Sequence, residues 1–415
     1  MIKASSAEIR RILENINRFN STPEEGEGTT RVLFTEPELE SRKYIKSEME
    51  AVGLKVTEDS VGNIFGTLEG SDPTLSPVWT GSHIDTVLNA GMFDGMAGIV
   101  CGIEALKMIS RSGITPKRSI SVIVYTSEEP TRFGLSCLGS RTMAGALTPE
   151  DMKRLTDKDG KTLYGVLTEL GYDVSALPDV VRREGDVFAS LELHIEQNRH
   201  LDDAKIPVGI VRGICAPTNY EVVIKGVQGH AGGMAMEDRH DAFMACCRFA
   251  LELEKLAKSS QGEYITATIG RVRVYSGAVN VIPGYVGFSV DIHSIDMESK
   301  EIIMAQLEKV KAAVEEEYGV SVEMRLDNHD IPLKCSETVL NVVRDVCKDT
   351  ETESMELISG PYHDSLFVGR FAPAAMIFVP SKNGISHSKD EWTDFEDLAT
   401  GTQVLAESLC RLANM

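Results

Sequence analysis

The chain has 415 residues, with 42 Lys and Arg against 63 Asp and Glu and a formal net charge of -21. Its length exceeds one ordinary domain and suits two, each able to bury its own core. The acidic balance excludes nucleic acid and anionic membrane as partners, because both call for a basic surface. The eight cysteines form no CxxC pair and no regular spacing, so they indicate neither a zinc ribbon nor a disulfide framework; reduced, mostly buried thiols are expected. The opening segment MIKASSAEIRRILENINRFN is charged every few residues and lacks an apolar targeting core, and no later run approaches the ~20 apolar residues of a membrane span. A soluble cytoplasmic protein is expected.

In chain order, Ser5 followed by Glu8 resembles a capping box, and Ile9, Ile12, Leu13, Ile16 and Phe19 recur behind it at helical spacing. Residues 22–30, rich in Glu and Gly, read as a loop. A second helix starts at Pro37, runs through Leu39, Ile45 and Met49, and stops at Gly53. Short β-rich runs follow at 54–56, 63–68 and 78–82, then a helix over 95–110 and strands over 119–125 and 188–193. This alternation predicts an α/β fold, a mixed, largely parallel sheet covered by helices, whose active site lies beyond the carboxyl ends of its strands.

From about 212 to 327 the order changes to strand 220–225, helix 238–256, strands 266–274 and 285–293, helix 299–318 and strand 320–325. That βαββαβ order is the ferredoxin-like split βαβ. It reads as an inserted domain, 212–327, interrupting a first domain made of 1–211 and 328–415. The α/β pattern resumes with helix 337–348, strand 374–379 and helix 395–412.

Metal-ligand side chains concentrate where strands should end. In GSHIDTV, Asp85 stands two residues after His83 on an extended segment, placed to accept a hydrogen bond from the ring and fix its tautomer. In MFDGMAG, Asp94 precedes a helix and offers one carboxylate oxygen to each of two cations; a plain Asp-Gly turn is the competing reading. In SEEPTRFG, Glu128 and Glu129 are crowded carboxylates that nearby cations make tolerable, one as ligand and one as free base. As an isolated pair they would read as a solvated turn. LELHIEQ brings His194, and SKNGISH brings His387. Each histidine alone reads as an ordinary hydrogen-bonded residue, but His83, Asp94, Glu129, His194 and His387 together form an N/O ligand set for zinc, manganese or a similar ion.

Several stretches, GSHIDTVLNAGMFDG, SEEPTRFG, LELHIEQ, GHAG, VNVIPG, GPYHD and MIFVPSKNGISH, resemble in order and spacing the M20-type metallopeptidase clan. His194, where the clan's peptidases use an acidic ligand, is similar to its hydantoinase/carbamoylase branch of N-carbamoyl-L-amino-acid, allantoate, ureidoglycolate and β-ureidopropionate hydrolases. The resemblance implies a di-metal hydrolase domain with an inserted lid or dimerisation domain, two divalent ions per chain (Zn2+ first, Mn2+, Co2+ or Ni2+ also suited), and a homodimer. It implies that Asp94 bridges the ions, His83 and His194 complete one site, and Glu129 and His387 the other. Glu128 is then the general base, with Asp85 behind His83. Gln197, His230, Asn280 and His363 match positions given to substrate or oxyanion, and some residues of the insert serve the neighbouring subunit. The activity implied is hydrolysis of an amide or ureido C–N bond in a small molecule. A dipeptidase or N-acyl-amino-acid deacylase on the same scaffold is the alternative, and an inactive binding homologue the alternative from another class.

The chain departs from this pattern at its substrate positions. The family's DxR reads DIH, placing His293 where an arginine grips a carboxylate. HAGTTPM reads HAGGMAM with Gly233, Met234 and Ala235, HIEQG ends in Asn198, and RRD becomes Arg239, His240 and Asp241. The ligand set is untouched, so the departures bear on substrate choice.

Overall fold

The computed structural model describes residues 3–22 and 28–415; positions 23–27 of the expected loop lie outside the described residues. Two helices open the chain, α1 (Ser6–Ile16) and α2 (Glu36–Ala51). Ser5 caps α1 by accepting the Glu8 N–H at 3.3 Å, but Glu8 does not return the bond and pairs with Arg11 and Lys107 instead. Ile9, Ile12, Leu13 and Ile16 form its buried stripe. Strands β1 (Lys55–Glu58), β2 (Ile64–Leu68) and β3 (Val78–Ser82), helix α3 (Met96–Arg111) and strand β4 (Ile120–Val124) follow. The segment to β5 holds three short helices, α4 (Leu138–Met143), α5 (Pro149–Met152) and α6 (Leu163–Glu169), which the sequence reading did not assign. They are too short to give a periodic signal; Leu138, Met143, Met152, Leu163, Val166 and Leu167 are nonetheless buried in one cluster with Trp79 and Tyr125.

Strand β5 (Ala189–Ile195), helix α7 (His200–Ala204) and strand β6 (Val208–Ile214) lead into β7 (Ala216–Lys225), β8 (Gly229–His230), α8 (Ala242–Ser259), β9 (Ile265–Thr268), β10 (Val272–Tyr275), β11 (Val281–Ile282), β12 (Tyr285–Ser294), α9 (Met297–Tyr318), β13 (Ser321–His329) and β14 (Leu333–Lys334). The chain ends with α10 (Glu337–Asp349), β15 (Ser354–Ser359), α11 (Ser365–Val368), β16 (Ala374–Val379) and α12 (Phe395–Ala413). It divides into two compact units, the first of residues 1–212, 335–357 and 363–415, the second of 213–334 and 358–362.

The first unit is an α/β structure on a mixed sheet ordered β1-β2-β4-β3-β5-β16-β6. Its centre, β4-β3-β5-β16, is parallel, and the flanking pairs β1-β2, β2-β4 and β16-β6 are antiparallel. β3, β4, β5 and β16 are buried along their whole length, as strands covered on both faces must be. α3 is buried on nearly every side because it lies between these strands and helices α1 and α12.

The second unit has a four-stranded antiparallel path β10-β12-β7-β13, with β9 also on β12, and helices α8 and α9. The expected single strand over 266–274 is two: β9 pairs with Asp291–Ser294 and β10 with Tyr285–Phe288, with Gly270 in the break. The helix expected from Asp238 begins at Ala242, because the Asp241 carboxylate accepts the N–H groups of Phe243 and Met244 at 2.9 and 3.2 Å.

Candidate metal and catalytic centre

The four central parallel strands end together, Ser82 opposite Val124 and Val379 opposite Ile195, so the loops leaving them converge at one edge of the sheet. His83 and Asp85 follow β3, Glu128 and Glu129 follow β4, and His387 lies in the loop after β16. His194 is inside β5, which runs one residue past it, whereas the sequence pattern predicts an end at 193. Asp94 precedes Gly95, the N-cap of α3. Gly95 is required there: its φ is +71°, and a Cβ would stand 2.5 Å from the His83 ring.

Asp94 sits at the centre of this cluster. Its Oδ1 lies 3.4 Å from His83 Nε2 and 3.3 Å from His194 Nε2. Its Oδ2 lies 3.2 Å from His387 Nε2, which is itself 3.3 Å from Glu129 Oε1. Two donor groups result, His83 with Asp94 and His194, and Asp94 with Glu129 and His387, the ligand atoms of each within 4.8 Å of one another. Nδ1 of His83 faces the Asp85 backbone carbonyl and Nδ1 of His194 the Ile195 carbonyl, both at 2.9 Å. A carbonyl only accepts, so each neutral ring carries its proton on Nδ1 and turns a bare Nε2 toward Asp94. A tetrahedral ion with bonds of about 2.0–2.1 Å holds neighbouring donors roughly 3.3–3.4 Å apart. The donor chemistry and spacing therefore fit two divalent ions sharing Asp94.

The support for these side chains differs from the expectation at Asp85. Its carboxylate stands 3.6 Å from the His83 ring, too far for a hydrogen bond. It accepts the backbone N–H groups of Glu128 and Glu129 at 3.2 and 3.1 Å, leaving its carbonyl to orient His83. Cys137 and Leu138 donate backbone N–H bonds to the carbonyls of Glu128 and Ser127, both at 2.9 Å, so the turn is held from two sides. Ser127, Gln197 and His387 all have positive φ, 53 to 55°, an uncommon backbone state for residues with a Cβ and one that gathers at functional sites.

The electrostatics follow from crowding charges out of water. When the rings are protonated, Nε2–H groups of His194, His387 and His83 donate to Asp94 and, against its burial, hold it well below the usual carboxylate range. The Asp94 and Glu129 carboxylates push His387 up to about 11. Burial pushes Glu128 well above the carboxylate range, opposed by His83 and reinforced by Glu129. Its Oε2 is 3.9 Å from His83 Nε2, and it belongs to neither donor group.

Gln197 donates from Nε2 to Asp94 Oδ2 at 2.8 Å, leaving its buried Oε1 without a partner. His363, expected at the substrate, is buried at 2% exposure with its ring centroid 4.5 Å from that of His194. Burial and the neighbouring His194 lower its pKa well below that of an ordinary histidine, so it stands beside His194 as a neutral ring. In the second unit, β8 pairs with β11 so that His230 lies opposite Val281, and Ala231 N–H donates to the Asn280 carbonyl at 2.9 Å. His230 and Asn280 are thus neighbours, both exposed. His293 turns Nδ1 to the Gly360 carbonyl at 3.2 Å and Nε2 to the Asp291 carboxylate at 3.1 Å, so both ring nitrogens face acceptors.

Residues 79–411 match the family described as Peptidase family M20/M25/M40. The chain belongs to this family. It is 37% identical over 409 residues to a ureidoglycolate hydrolase of Oryza sativa subsp. japonica, covering 98% of this chain and 84% of that one. It is 33% identical to an N-carbamoyl-L-amino-acid amidohydrolase of Pseudomonas sp. (strain NS671), covering 99% of both. The crystal structure of AtUAH in complex with glyoxylate superposes with a TM-score of 0.88 at 34% identity, covering 99% of this chain and 98% of the other.

Four residues outside the sequence expectations, Glu391, Ser386, Gly91 and Arg31, support the cluster. Glu391 accepts the backbone N–H groups of Phe93 and Asp94 at 2.9 and 3.1 Å, and Ser386 stands 2.9 Å from both Glu391 Oε2 and Asp94 Oδ2. Burial and the Asp94 charge push Glu391 up to about 7. Gly91 makes room for it, since a Cβ there would lie 2.4 Å from its side chain. Arg31 is fully buried and donates to the carbonyls of Ile84, Ile16 and Phe19, anchoring the loop that carries His83 and Asp85. No local pattern marks these residues; only their distant partners do.

Proposed function

We propose that this chain is a metal-dependent amidohydrolase that cleaves a ureido or amide C–N bond in a small molecule. His83, Asp94 and His194 would hold one divalent ion and Asp94, Glu129 and His387 a second, zinc by preference. The observation that carries the reading is the sharing of Asp94 between two donor groups, with the separate carboxylate of Glu128 beside them. The relatives named for ureidoglycolate and N-carbamoyl-L-amino acids favour the ureido class.

Bound there, the ions supply Lewis-acid polarisation of the scissile carbonyl and of water. Glu128 takes the proton of the attacking water and returns it to the leaving nitrogen. The unpartnered Gln197 Oε1 accepts an N–H of the ureido group, satisfying a buried acceptor that otherwise costs free energy. His230 and Asn280 donate to the oxyanion, reaching the neighbouring subunit's site in a homodimer; each such donor contributes about 3 kcal/mol to the transition state. A ureido substrate releases a carbamate that decomposes to ammonia and carbon dioxide.

The test is ammonia release from N-carbamoyl-L-amino acids, ureidoglycolate, allantoate and uncharged ureido analogues, before and after chelation and metal return. Activity should vanish with the metal and come back at about two ions per chain; full turnover by metal-free protein would end the reading. His293, tied at both nitrogens, offers a substrate carboxylate less than a guanidinium fork, a difference of ~1.5–3 kcal/mol. The native enzyme should therefore favour substrates whose distal group is neutral or differently placed, and His293→Arg should raise kcat/KM for carboxylate substrates about tenfold or more. Efficient native turnover of such substrates, unimproved by arginine, would move the anchor to another residue.

A further inference from the structure

The segment that carries His230 is exposed and contains two consecutive glycines, Gly232 and Gly233. Such a segment has more backbone freedom than any other composition, yet a donor to a reacting carbonyl has to be held in place. Its internal bonds close around His230 itself. Gly233 and Met234 donate to the His230 carbonyl at 3.0 and 3.2 Å, and Gly232 donates to the ring Nδ1 at 3.1 Å. Because Nδ1 accepts, the neutral ring bears its proton on Nε2, the nitrogen turned away from the loop.

A guanidinium holds this small ring of backbone from outside. Arg239 Nη2 donates to the Ala231 carbonyl at 2.6 Å and to the Met234 carbonyl at 3.0 Å, and Nε donates to Met234 at 3.2 Å. The two carbonyls flank the glycine pair, so one rigid planar group spans the flexible stretch. The far end of the brace is itself fixed. Val227 donates to the carbonyl of His240 at 2.9 Å, and Asp241 is the N-cap of α8.

We propose that Arg239 is a positioning residue that aims His230 Nε2–H, a role that rests on the proposed reading of His230 as an oxyanion donor. Arg239 touches neither substrate nor metal in this account; it acts through the carbonyls of Ala231 and Met234. Lysine does not replace it, because a single ammonium has no planar fork to bond both carbonyls in fixed geometry.

The test compares Arg239→Gln, Arg239→Lys, His230→Ala and the Arg239→Gln/His230→Ala double variant in the metal-loaded enzyme with a ureido substrate. Thermal unfolding and metal content are measured for each. Arg239→Gln should lower kcat about ten- to a hundredfold, the scale of a misplaced group, with KM within about threefold and metal content unchanged. Arg239→Lys should recover only part of that loss. In the His230→Ala background the Arg239 substitution should have no further effect, since the residue it aims is gone. Amide exchange at Gly233 and Met234 should quicken in Arg239→Gln, reporting the loosened loop without reference to activity. Full kcat in Arg239→Gln, or losses that multiply in the double variant, overturns the proposal. If His230→Ala keeps full kcat, the oxyanion reading of His230 fails, and the aiming role falls with it. If His230→Ala is impaired while Arg239→Gln is not, only the Arg239 inference falls.

Discussion

Glu128 and Glu129 are chain neighbours given different surroundings by one turn. Asp85 fixes both backbone N–H groups, and the side chains then part: Glu129 meets His387 at 3.3 Å, while Glu128 faces His83 at 3.9 Å from a buried position. The proposed division into ligand and base follows from that parting. Glu128→Gln should keep both metals and substrate affinity while lowering kcat by ~10²–10⁴, the usual contribution of a general base. Glu129→Gln should instead lose metal from one site, with activity recovering at high metal concentration. Metal titration of the two variants decides between them, and the opposite pattern would swap the roles.

At the scale of elements, the site depends on loops whose shapes are imposed from far along the chain. Arg31 reaches the His83 loop, Glu391 holds the backbone at Asp94, and Ser381 Oγ accepts the Gln197 N–H at 3.0 Å. The second unit has a comparable tie within its own fold. Lys300, near the start of α9, is fully buried and donates to the carbonyls of Asp330 and Pro217 at 2.6 and 3.2 Å. Burial lowers its pKa from 10.5 to about 8, so the folded state binds the proton less tightly than the unfolded chain. Between about pH 8 and 10 the unfolded chain holds more protons, and stability from this residue rises with pH. Relative to Lys300→Met, the unfolding free energy of the native protein should increase by about 2 kcal/mol from pH 7 to pH 10. Urea unfolding of both proteins across that range checks it; a flat difference would mean that Lys300 keeps its ordinary affinity in the fold.

For the whole molecule, the second unit presents apolar side chains that a monomer would leave in water. Phe243, Met244 and Leu251 on α8 are 40%, 49% and 63% exposed, and Val272 and Tyr275 lie on β10, an edge of the four-strand path. These features support the proposed homodimer through this unit. Mixing inactive Glu128→Gln with inactive His230→Ala subunits should restore activity in the heterodimer, because one of its two sites then pairs an intact base with an intact His230. Proven heterodimers without activity would place His230 in its own subunit's site.

Legibility from sequence followed the range of the interactions involved. α1 was readable because its buried stripe repeats within one helix, and β16 because six apolar residues run between Pro373 and Pro380. The five metal-ligand candidates were readable because histidine is scarce and because His83, Glu129 and His194 stand in or just beyond the ends of apolar strands. Whether they meet was another matter, since His83 and His387 are joined only when β3 and β16 end at the same edge of one sheet. The short helices after β4 give no periodic signal, and their apolar residues are gathered into one cluster with Trp79 and Tyr125 only by the fold. Local spacing gives the direction of Asp85 but not the competing N–H groups of Glu128 and Glu129, which take its carboxylate. Sequence alone thus determined which side chains are candidate metal ligands and which helices and strands bury a face, since both are properties of local residue type and period. Tertiary structure decided the place of Asp94 between the two donor groups, the neutral position of His363 beside His194 and the supporting roles of Glu391 and Arg31. Each of those depends on backbone groups distant in the chain, whose approach is set by packing of the whole unit.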